Sequence, residues 1–129
     1  MAKYLIDTCL LVYVARGREE KVRGLESLRG AVISYVTYGE LVQGVRNKRE
    51  LKMVEEIVGD YVLDGGGVKV WQKAIEILKM HHHGDGVGLM DAIIAAQAMV
   101  NGWVLITENL KHFRMIDGLE VKKLSEVVK

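Results

Sequence analysis

The 129-residue chain has no proline, one phenylalanine and a single cysteine, Cys9. One cysteine excludes an internal disulfide, and it also excludes a zinc site built from several thiolates. No stretch reaches the ~20 apolar residues that span a bilayer, and the amino-terminal residues lack the layout of a signal peptide. We therefore expect a cytoplasmic protein that does not enter a membrane.

The sequence also has no excess of charge of either sign. Its 18 basic and 17 acidic residues give a formal net charge of +1, so affinity for a polyanion would have to come from local patches. Two stretches are locally basic: Arg16, Arg18, Lys21 and Arg23, and Arg46, Lys48, Arg49 and Lys52. Solvated helix faces are their ordinary role, although either stretch could guide an RNA backbone.

Short apolar runs alternate with segments of helical periodicity. The runs 4–6, 31–34, 61–63, 103–106 and, more weakly, 119–121 predict strands. Helices are predicted at 9–14, 19–28, 38–45, 51–58, 71–78 and 88–102, with short turns at 109–115 and 124–128. This alternation predicts an α/β fold, a three-layer α/β/α arrangement around a mostly parallel sheet of four to five strands. The length fits one domain covering residues 1–129.

One carboxylate stands out because it lies in an otherwise apolar helix. Asp91 shares a helical face with Ile94, Ala95 and Ala98, and a buried acid is costly unless it is paired, hydrogen-bonded or bound to a metal. Parallel sheets bind ligands at the carboxyl ends of their strands, which directs attention to 7–8, 34–37, Asp64 and 107–109.

Asp7, Glu40 and Asp91 can therefore converge at that edge. Clustered carboxylates repel one another, and a bound Mg²⁺ or Mn²⁺ ion usually offsets this repulsion. Each acid also has a structural interpretation. Asp7 could close a strand turn, Glu40 could form a capping box with Thr37, and Asp91 could favour the positive end of its helix.

Four motifs, in this order, resemble those of PIN-domain ribonucleases, specifically VapC-type toxins. They are Asp7-Thr8, Thr37-x-x-Glu40 with Gly44, the run from Asp91 to Ala96, and Thr107-x-Asn109 with Phe113. Each motif is weak alone, but their order and spacing within one small α/β domain are specific. The resemblance covers nearly the whole chain.

The resemblance implies a metal-dependent endoribonuclease in which Asp7, Glu40 and Asp91 bind one or two Mg²⁺ or Mn²⁺ ions. Such an ion can activate water for attack on a phosphodiester. Asp7 and Asp91 would be direct ligands, and Glu40 would act through water or orient the nucleophile. Thr8 and Thr107 would hold a carboxylate or a water molecule.

The resemblance also implies partners. These are an RNA substrate, a cognate antitoxin that silences the toxin, and a second copy of the chain in a homodimer. The apolar residues Leu10, Leu11 and Val14 and the segment 35–45 are candidates for dimer or antitoxin contact.

Two positions depart from the family's pattern. Asn109 stands where many members have a fourth acid, so we expect weaker cation binding and a single metal ion. Cys9 stands where a small polar residue is common, which removes a good hydrogen-bond donor. We do not expect Cys9 to act as a thiolate nucleophile, because its sequence neighbours are apolar.

Several alternatives stay open from the sequence. The chain could be a housekeeping RNA-processing nuclease, or a catalytically weakened module that only binds RNA. A phosphoacceptor receiver domain is disfavoured because Asp64 precedes three glycines and Lys122 follows a weak strand. Among the remaining residues, we expect 81–83 to be a solvated helix end, Asp85 a turn residue, and Trp71 and Trp103 part of the core.

Overall fold

Five parallel strands form one sheet in this computed structural model, which describes residues 3–128. The strands are β1 (Tyr4–Ile6), β2 (Val32–Ser34), β3 (Val62–Asp64), β4 (Val104–Ile106) and β5 (Val121–Lys122). Their order across the sheet is β3-β2-β1-β4-β5, and every neighbouring pair is parallel. The predicted sheet is confirmed, with its last strand displaced by two residues.

Helices cover both faces of this sheet. They are α1 (Thr8–Ala15), α2 (Tyr35–Gln43), α3 (Lys48–Val58), α4 (Val68–Asp85), α5 (Leu89–Asn101) and α6 (Leu124–Val127). One buried cluster joins α4 and α5 to the sheet through residues such as Ala74, Ile94 and Phe113. A second joins α1, α2 and α3 to it through residues such as Leu11, Leu41 and Val54. The three-layer α/β/α fold is thereby confirmed.

The predicted helix at 19–28 is wrong. The segment forms two 3₁₀ turns, Glu19–Val22 and Leu25–Leu28, separated by Gly24 at φ 91°. A Cβ at Gly24 would lie 2.5 Å from Val128 Cγ2, so only glycine fits this backbone. Val22 and Leu25 are buried as the periodicity required, but the left-handed residue between them ends any regular helix.

Thr37 and Glu40 do not form the capping box that was the structural alternative for Glu40. Helix α2 begins three residues earlier, where Ser34 Oγ accepts a hydrogen bond from the Val36 backbone N–H at 3.0 Å. Thr37 therefore lies in the first turn of α2 and is fully buried. Glu40 is left free for a different contact.

Two expectations about apolar side chains need correction. Leu10 and Leu11 are fully buried between α1 and the sheet, so they cannot contact a dimer partner or an antitoxin. Trp71 lies on the outer face of α4 with about half of its surface exposed (49%), whereas Trp103 packs against the core. Apolar periodicity alone did not distinguish the outer face of α4 from its inner face.

Helix α4 is interrupted near its end by the non-helical residues His83 (φ −88°, ψ 121°) and Gly84 (φ 91°), and residues 86–88 separate it from α5. His82 and His83 are exposed, as expected of a solvated helix end, whereas the His81 side chain is mostly buried and its Nδ1 lies 2.7 Å from Asp85 Oδ2. Within residues 3–128, no helix is both long enough and apolar enough to cross a membrane.

Candidate active site

The strand order places a crevice between β1 and β4. After β1 the chain adds β2 and then β3 on one side of it. The chain then returns and adds β4 and β5 on the other side of β1. Ligands of open α/β sheets bind at such a switch point, beyond the carboxyl ends of the strands. Ile6 is in register with Ile106, so the next residues, Asp7 and Thr107, leave the two strands side by side.

Asp7 is a buried carboxylate surrounded by neutral donors. Its Oδ2 accepts a hydrogen bond from Thr107 Oγ1 at 2.7 Å and its Oδ1 accepts one from the Thr8 backbone N–H at 2.9 Å. The Cys9 thiol also donates to Oδ2, at 3.4 Å. Only 6% of the residue is exposed, and no cationic side chain among residues 3–128 forms a salt bridge with it.

The pKa of Asp7 is raised above its ordinary value of 3.8. Burial is the main cause, and the negative charge of Asp91 adds to it. The hydrogen bonds from Thr107, Cys9 and Thr8 oppose the shift without cancelling it. No positively charged side chain in the described part of the chain helps to lower the pKa of Asp7.

Asp91 lies in the first turn of α5, close enough to Asp7 for the two charges to repel. It is half-buried, while Ile94, Ala95 and Ala98 on the same helical face are buried in the core. Those contacts fix α5 against the sheet, as the sequence pattern predicted. The side chain of Asp91 has one neighbour that we did not anticipate, because His112 Nδ1 lies 3.3 Å from its Oδ2.

Glu40 is connected to Asp7 through Thr8. The Thr8 hydroxyl donates to Glu40 Oε1 at 2.8 Å, and the Thr8 backbone N–H binds Asp7. Thr37 Oγ1 lies 2.9 Å from Thr8 Oγ1. Since the single hydroxyl proton of Thr8 is directed to Glu40, Thr37 must be the donor in that contact.

Asn109 enters the network through its backbone. Its N–H donates to Thr107 Oγ1 at 3.0 Å, and the Thr107 hydroxyl in turn donates to Asp7. The structure thus joins Glu40, Thr8, Asp7, Thr107 and Asn109 in one chain of hydrogen bonds. Asp91 is linked to this chain by charge rather than by a hydrogen bond.

The acids around Asp7 fit a divalent cation only with the help of water. Among residues 3–128, no three His, Cys, Asp or Glu side chains form a group that could hold a metal ion. Glu40 is directed toward Thr8, which leaves Asp7 and Asp91 as the two acids that repel each other. A buried carboxylate without a cationic partner, beside a second carboxylate, fits a hard cation whose other ligands are water molecules. That Asp7, Glu40 and Asp91 together serve one cation stays a prediction.

Sequence reasoning missed three contributors to this site: His112, Cys9 as a donor, and Thr37 as a hydroxyl partner of Thr8. His112 follows Thr107-x-Asn109 by three residues, in a segment already expected to turn at the sheet edge. That placement was an available signal. Only the run at 81–83 had been considered among the histidines.

Burial raises the pKa of the Cys9 thiol to about 11, and the neighbouring charge of Asp7 contributes. This direction agrees with the expectation that Cys9 does not serve as a nucleophile. Cys9 acts instead as a weak hydrogen-bond donor to the carboxylate.

Alkylation of Cys9 tests that environment. A rise in pKa from 9.0 to about 11 leaves about a hundredfold less thiolate near pH 8, so iodoacetamide should modify the folded protein about a hundredfold more slowly than the urea-unfolded chain. Mass spectrometry of timed samples gives both rates. Asp7→Asn should speed the folded reaction, and equal rates in folded and unfolded wild-type protein would contradict the assignment.

Other polar residues considered from the sequence lie outside this network. Gln97 Nε2 donates to the Asp64 backbone carbonyl at 3.0 Å and to its carboxylate at 3.1 Å, so Asp64 anchors α5 to the end of β3. Asp85 pairs with His81 on α4. Neither acid joins the hydrogen-bond chain around Asp7.

A groove of about 780 Å³ adjoins Glu40 between α1, α2 and α3. Its walls include the apolar residues Val12, Leu41, Val45 and Met53, and its lining also contains Arg16, Arg46 and Arg49. Arg46 is paired with Glu50 at 2.9 Å. This surface joins the candidate active site to both basic stretches, through Arg16 of the first and Arg46 and Arg49 of the second.

Comparisons with known proteins agree with the α/β/α fold. A family model described as PIN domain matches residues 4–119. The chain is 31% identical over 129 residues to ribonuclease VapC1 from Rickettsia felis, covering 94% of this chain and 96% of that protein. It is 26% identical over 132 residues to the tRNA(fMet)-specific endonuclease VapC from Shigella flexneri, covering 97% and 100% respectively.

The fold is also similar to a solved structure, that of DNA-bound VapBC from Salmonella typhimurium. The TM-score is 0.83 at 25% sequence identity, and the alignment covers 96% of this chain and 99% of that chain. The family match spans nearly the whole sheet and contains every residue of the hydrogen-bond network around Asp7. The chain therefore belongs to the PIN-domain family.

Proposed function

We propose that this protein is a VapC-type endoribonuclease, the toxin of a toxin-antitoxin pair, and that its activity requires Mg²⁺ or Mn²⁺. One observation carries the proposal: Asp7 is a buried carboxylate at the switch point of the sheet, repelled by Asp91 and without a cationic partner among residues 3–128. The curated relatives named as ribonucleases and endonucleases support the class of reaction.

The residues divide into cation ligands and residues that position them. Asp7 and Asp91 are direct ligands, and Glu40, held by the Thr8 hydroxyl, acts through water or orients the attacking nucleophile. Thr107 fixes the second oxygen of Asp7. A bound divalent cation would activate water and stabilise the charge that develops on the phosphate. Asn109 offers a neutral oxygen where a fourth acid is common, which favours one cation.

RNA can approach along the groove beside Glu40. Arg16 and Arg49 line it, and guanidinium groups bind phosphate oxygens without regard to sequence. An RNA substrate also agrees with the expected cytoplasmic location.

The same groove is the surface we assign to a cognate antitoxin. Its apolar walls fit the apolar face of a peptide or helix, and its arginines fit acidic residues on that partner. Because the groove adjoins Glu40, such a partner would cover the path of the RNA and silence the toxin. The similarity to the VapBC structure from Salmonella typhimurium supports this choice of occupant.

Substitutions at the groove should separate antitoxin binding from folding. Val45→Asp places a charge in the groove wall, whereas Val42→Asp places one on a nearby exposed site outside the lining. In co-expression with a small protein encoded beside this chain, Val45→Asp should lose co-purification and Val42→Asp should retain it. Equal retention by both variants, with unchanged melting temperatures, would contradict the assignment.

Cleavage of RNA tests the proposed function and separates it from the alternatives. Purified protein with end-labelled RNA should give discrete fragments with Mn²⁺ or Mg²⁺, and none with EDTA. A module that only binds RNA would shift its mobility without fragments at any cation concentration. A processing nuclease would cut, but its expression would not arrest growth when the antitoxin is absent.

A further inference from the structure

His112 is the side chain that contacts Asp91. Its Nδ1 lies 3.3 Å from Asp91 Oδ2, and in the described part of the chain no other side chain forms a hydrogen bond with that carboxylate. Both side chains are partly exposed, by 37% and 28%. An exposed pair of this kind contributes little to folding stability, so we looked for a role in the candidate active site instead.

The backbone holds His112 in place from both sides. His112 ends the 3₁₀ turn Leu110–His112, in which its N–H donates to the Asn109 carbonyl at 3.1 Å. The next residue, Phe113, is fully buried and anchors the turn in the core. The imidazole therefore projects from a fixed backbone and not from a free loop.

One segment consequently holds both acids. Thr107 donates to Asp7 Oδ2, and His112, five residues later, lies against Asp91 Oδ2. Asn109 lies between them, and its N–H ties the turn to Thr107 Oγ1 at 3.0 Å. The segment 107–112 thus sets where each carboxylate stands relative to the other.

We propose that His112 is a positioning residue that holds one oxygen of Asp91, so that the other oxygen is presented toward Asp7 for a shared cation. The proposal rests on the proposed function only in that Asp91 binds the cation. The required hydrogen bond has Nδ1 protonated and donating to the carboxylate. Outer contacts of this kind orient ligands, and their loss typically weakens metal affinity or activity about 10- to 100-fold.

Three variants test this role. His112→Ala removes the donor, whereas His112→Asn keeps an amide N–H near the position of Nδ1. Lys111→Ala is the matched control, because Lys111 is an exposed neighbour on the same 3₁₀ turn. Mn²⁺ binding is read by electron paramagnetic resonance of the free ion, without RNA, and crystal structures of the variants report the position of the Asp91 carboxylate.

We expect His112→Ala to weaken Mn²⁺ binding about tenfold or more and to leave Asp91 in more than one rotamer. His112→Asn should stay within about threefold of wild type, and Lys111→Ala should not differ from it. In RNA cleavage, His112→Ala should lower kcat about 10- to 100-fold with little change in KM. All variants should melt within about 3 °C of wild type, because the contact is exposed.

Two results would overturn the proposal. Unchanged Mn²⁺ binding with an unmoved Asp91 in His112→Ala would show that His112 does not position the acid. Equal losses in His112→Ala and His112→Asn would show that the imidazole has another role, such as ligation. Failure of the proposed function is distinguishable, because it would appear as wild-type protein that binds Mn²⁺ and does not cut RNA.

Discussion

Replacing Asp7 by asparagine should abolish RNA cleavage and, at the same time, stabilise the cation-free protein. Cleavage should fall on the order of 10³-fold, because one direct ligand and its charge are lost at the reacting centre. Stability should rise because the ionised carboxylate is buried beside Asp91 with only neutral donors around it. A gain of about 1 kcal/mol, or roughly 3 °C in Tm, is typical when a strained functional group is removed.

The pH dependence of folding stability shows why replacing Asp7 stabilises the protein. The folded protein binds the Asp7 proton more tightly than the unfolded chain does, because burial raises the pKa of Asp7 in the folded state. The stabilisation that comes from this tighter proton binding is fully present below pH 3.8, the ordinary pKa of the group. It is lost as the pH rises through the raised pKa of the folded state. At any pH above the raised value, the wild type has lost it. An asparagine side chain carries no charge, so the Asp7→Asn variant avoids that loss.

Local geometry allows asparagine at this position. Its carbonyl oxygen can accept the Thr8 backbone N–H, and its amide can donate to Thr107 Oγ1. Thermal denaturation in EDTA should show Asp7→Asn melting above wild type at pH 7, with a smaller difference at acidic pH. Asp117→Asn, at an exposed acid, should shift Tm little. A lower Tm for Asp7→Asn at pH 7 would contradict the assignment of Asp7 as an uncompensated buried charge.

Asp91→Asn should remove most of the stabilisation that a divalent cation gives the folded protein. A cation at a hundredfold excess over its Kd stabilises the folded state by roughly 2.7 kcal/mol, which corresponds to a rise of several degrees in Tm. Losing one of two charged ligands should lower the affinity enough for that rise to disappear at the same concentration. Asp91 is half-buried, so the gain in cation-free stability should be smaller than for Asp7→Asn.

The matched comparison is a pair of melting curves, with EDTA and with Mn²⁺, for wild type, Asp91→Asn and Asp117→Asn. Asp117→Asn should retain the full rise in Tm. The same rise in Asp91→Asn would mean that the cation binds elsewhere on the protein.

The residues at the carboxyl edge of the sheet could be predicted because strong local sequence signals mark the strands that precede them. The apolar runs before Asp7 and Thr107 read as buried parallel strands, and the parallel register then places the two residues side by side. Asp91 could be predicted because a carboxylate in an apolar helix requires compensation. These inferences rest on burial, which the sequence encodes directly.

What could not be predicted depended on backbone conformation or on contacts distant in sequence. The apolar spacing in 19–28 is compatible with burial of Val22 and Leu25 both in one α-helix and in two 3₁₀ turns. The spacing therefore does not reveal the left-handed φ of Gly24. The sequence pointed to Thr37 as a cap, but Ser34 Oγ caps the helix, and Thr37 lies in the first turn, where it contacts Thr8 of another helix. The sequence indicated that His112 lies at the edge of the sheet, but its contact with Asp91 required the fold, because the two residues are 21 positions apart.

The central claim is that Asp7 and Asp91 hold one divalent cation on which RNA cleavage depends. Its most direct test is a titration of one preparation with Mn²⁺, in which bound ion and RNA cleavage are measured together. We expect about one ion per chain, cleavage that rises with occupancy, and neither signal in an Asp7→Asn/Asp91→Asn double variant purified in the same way. Full cleavage by wild type in EDTA, or equal Mn²⁺ binding by the double variant, would contradict the claim.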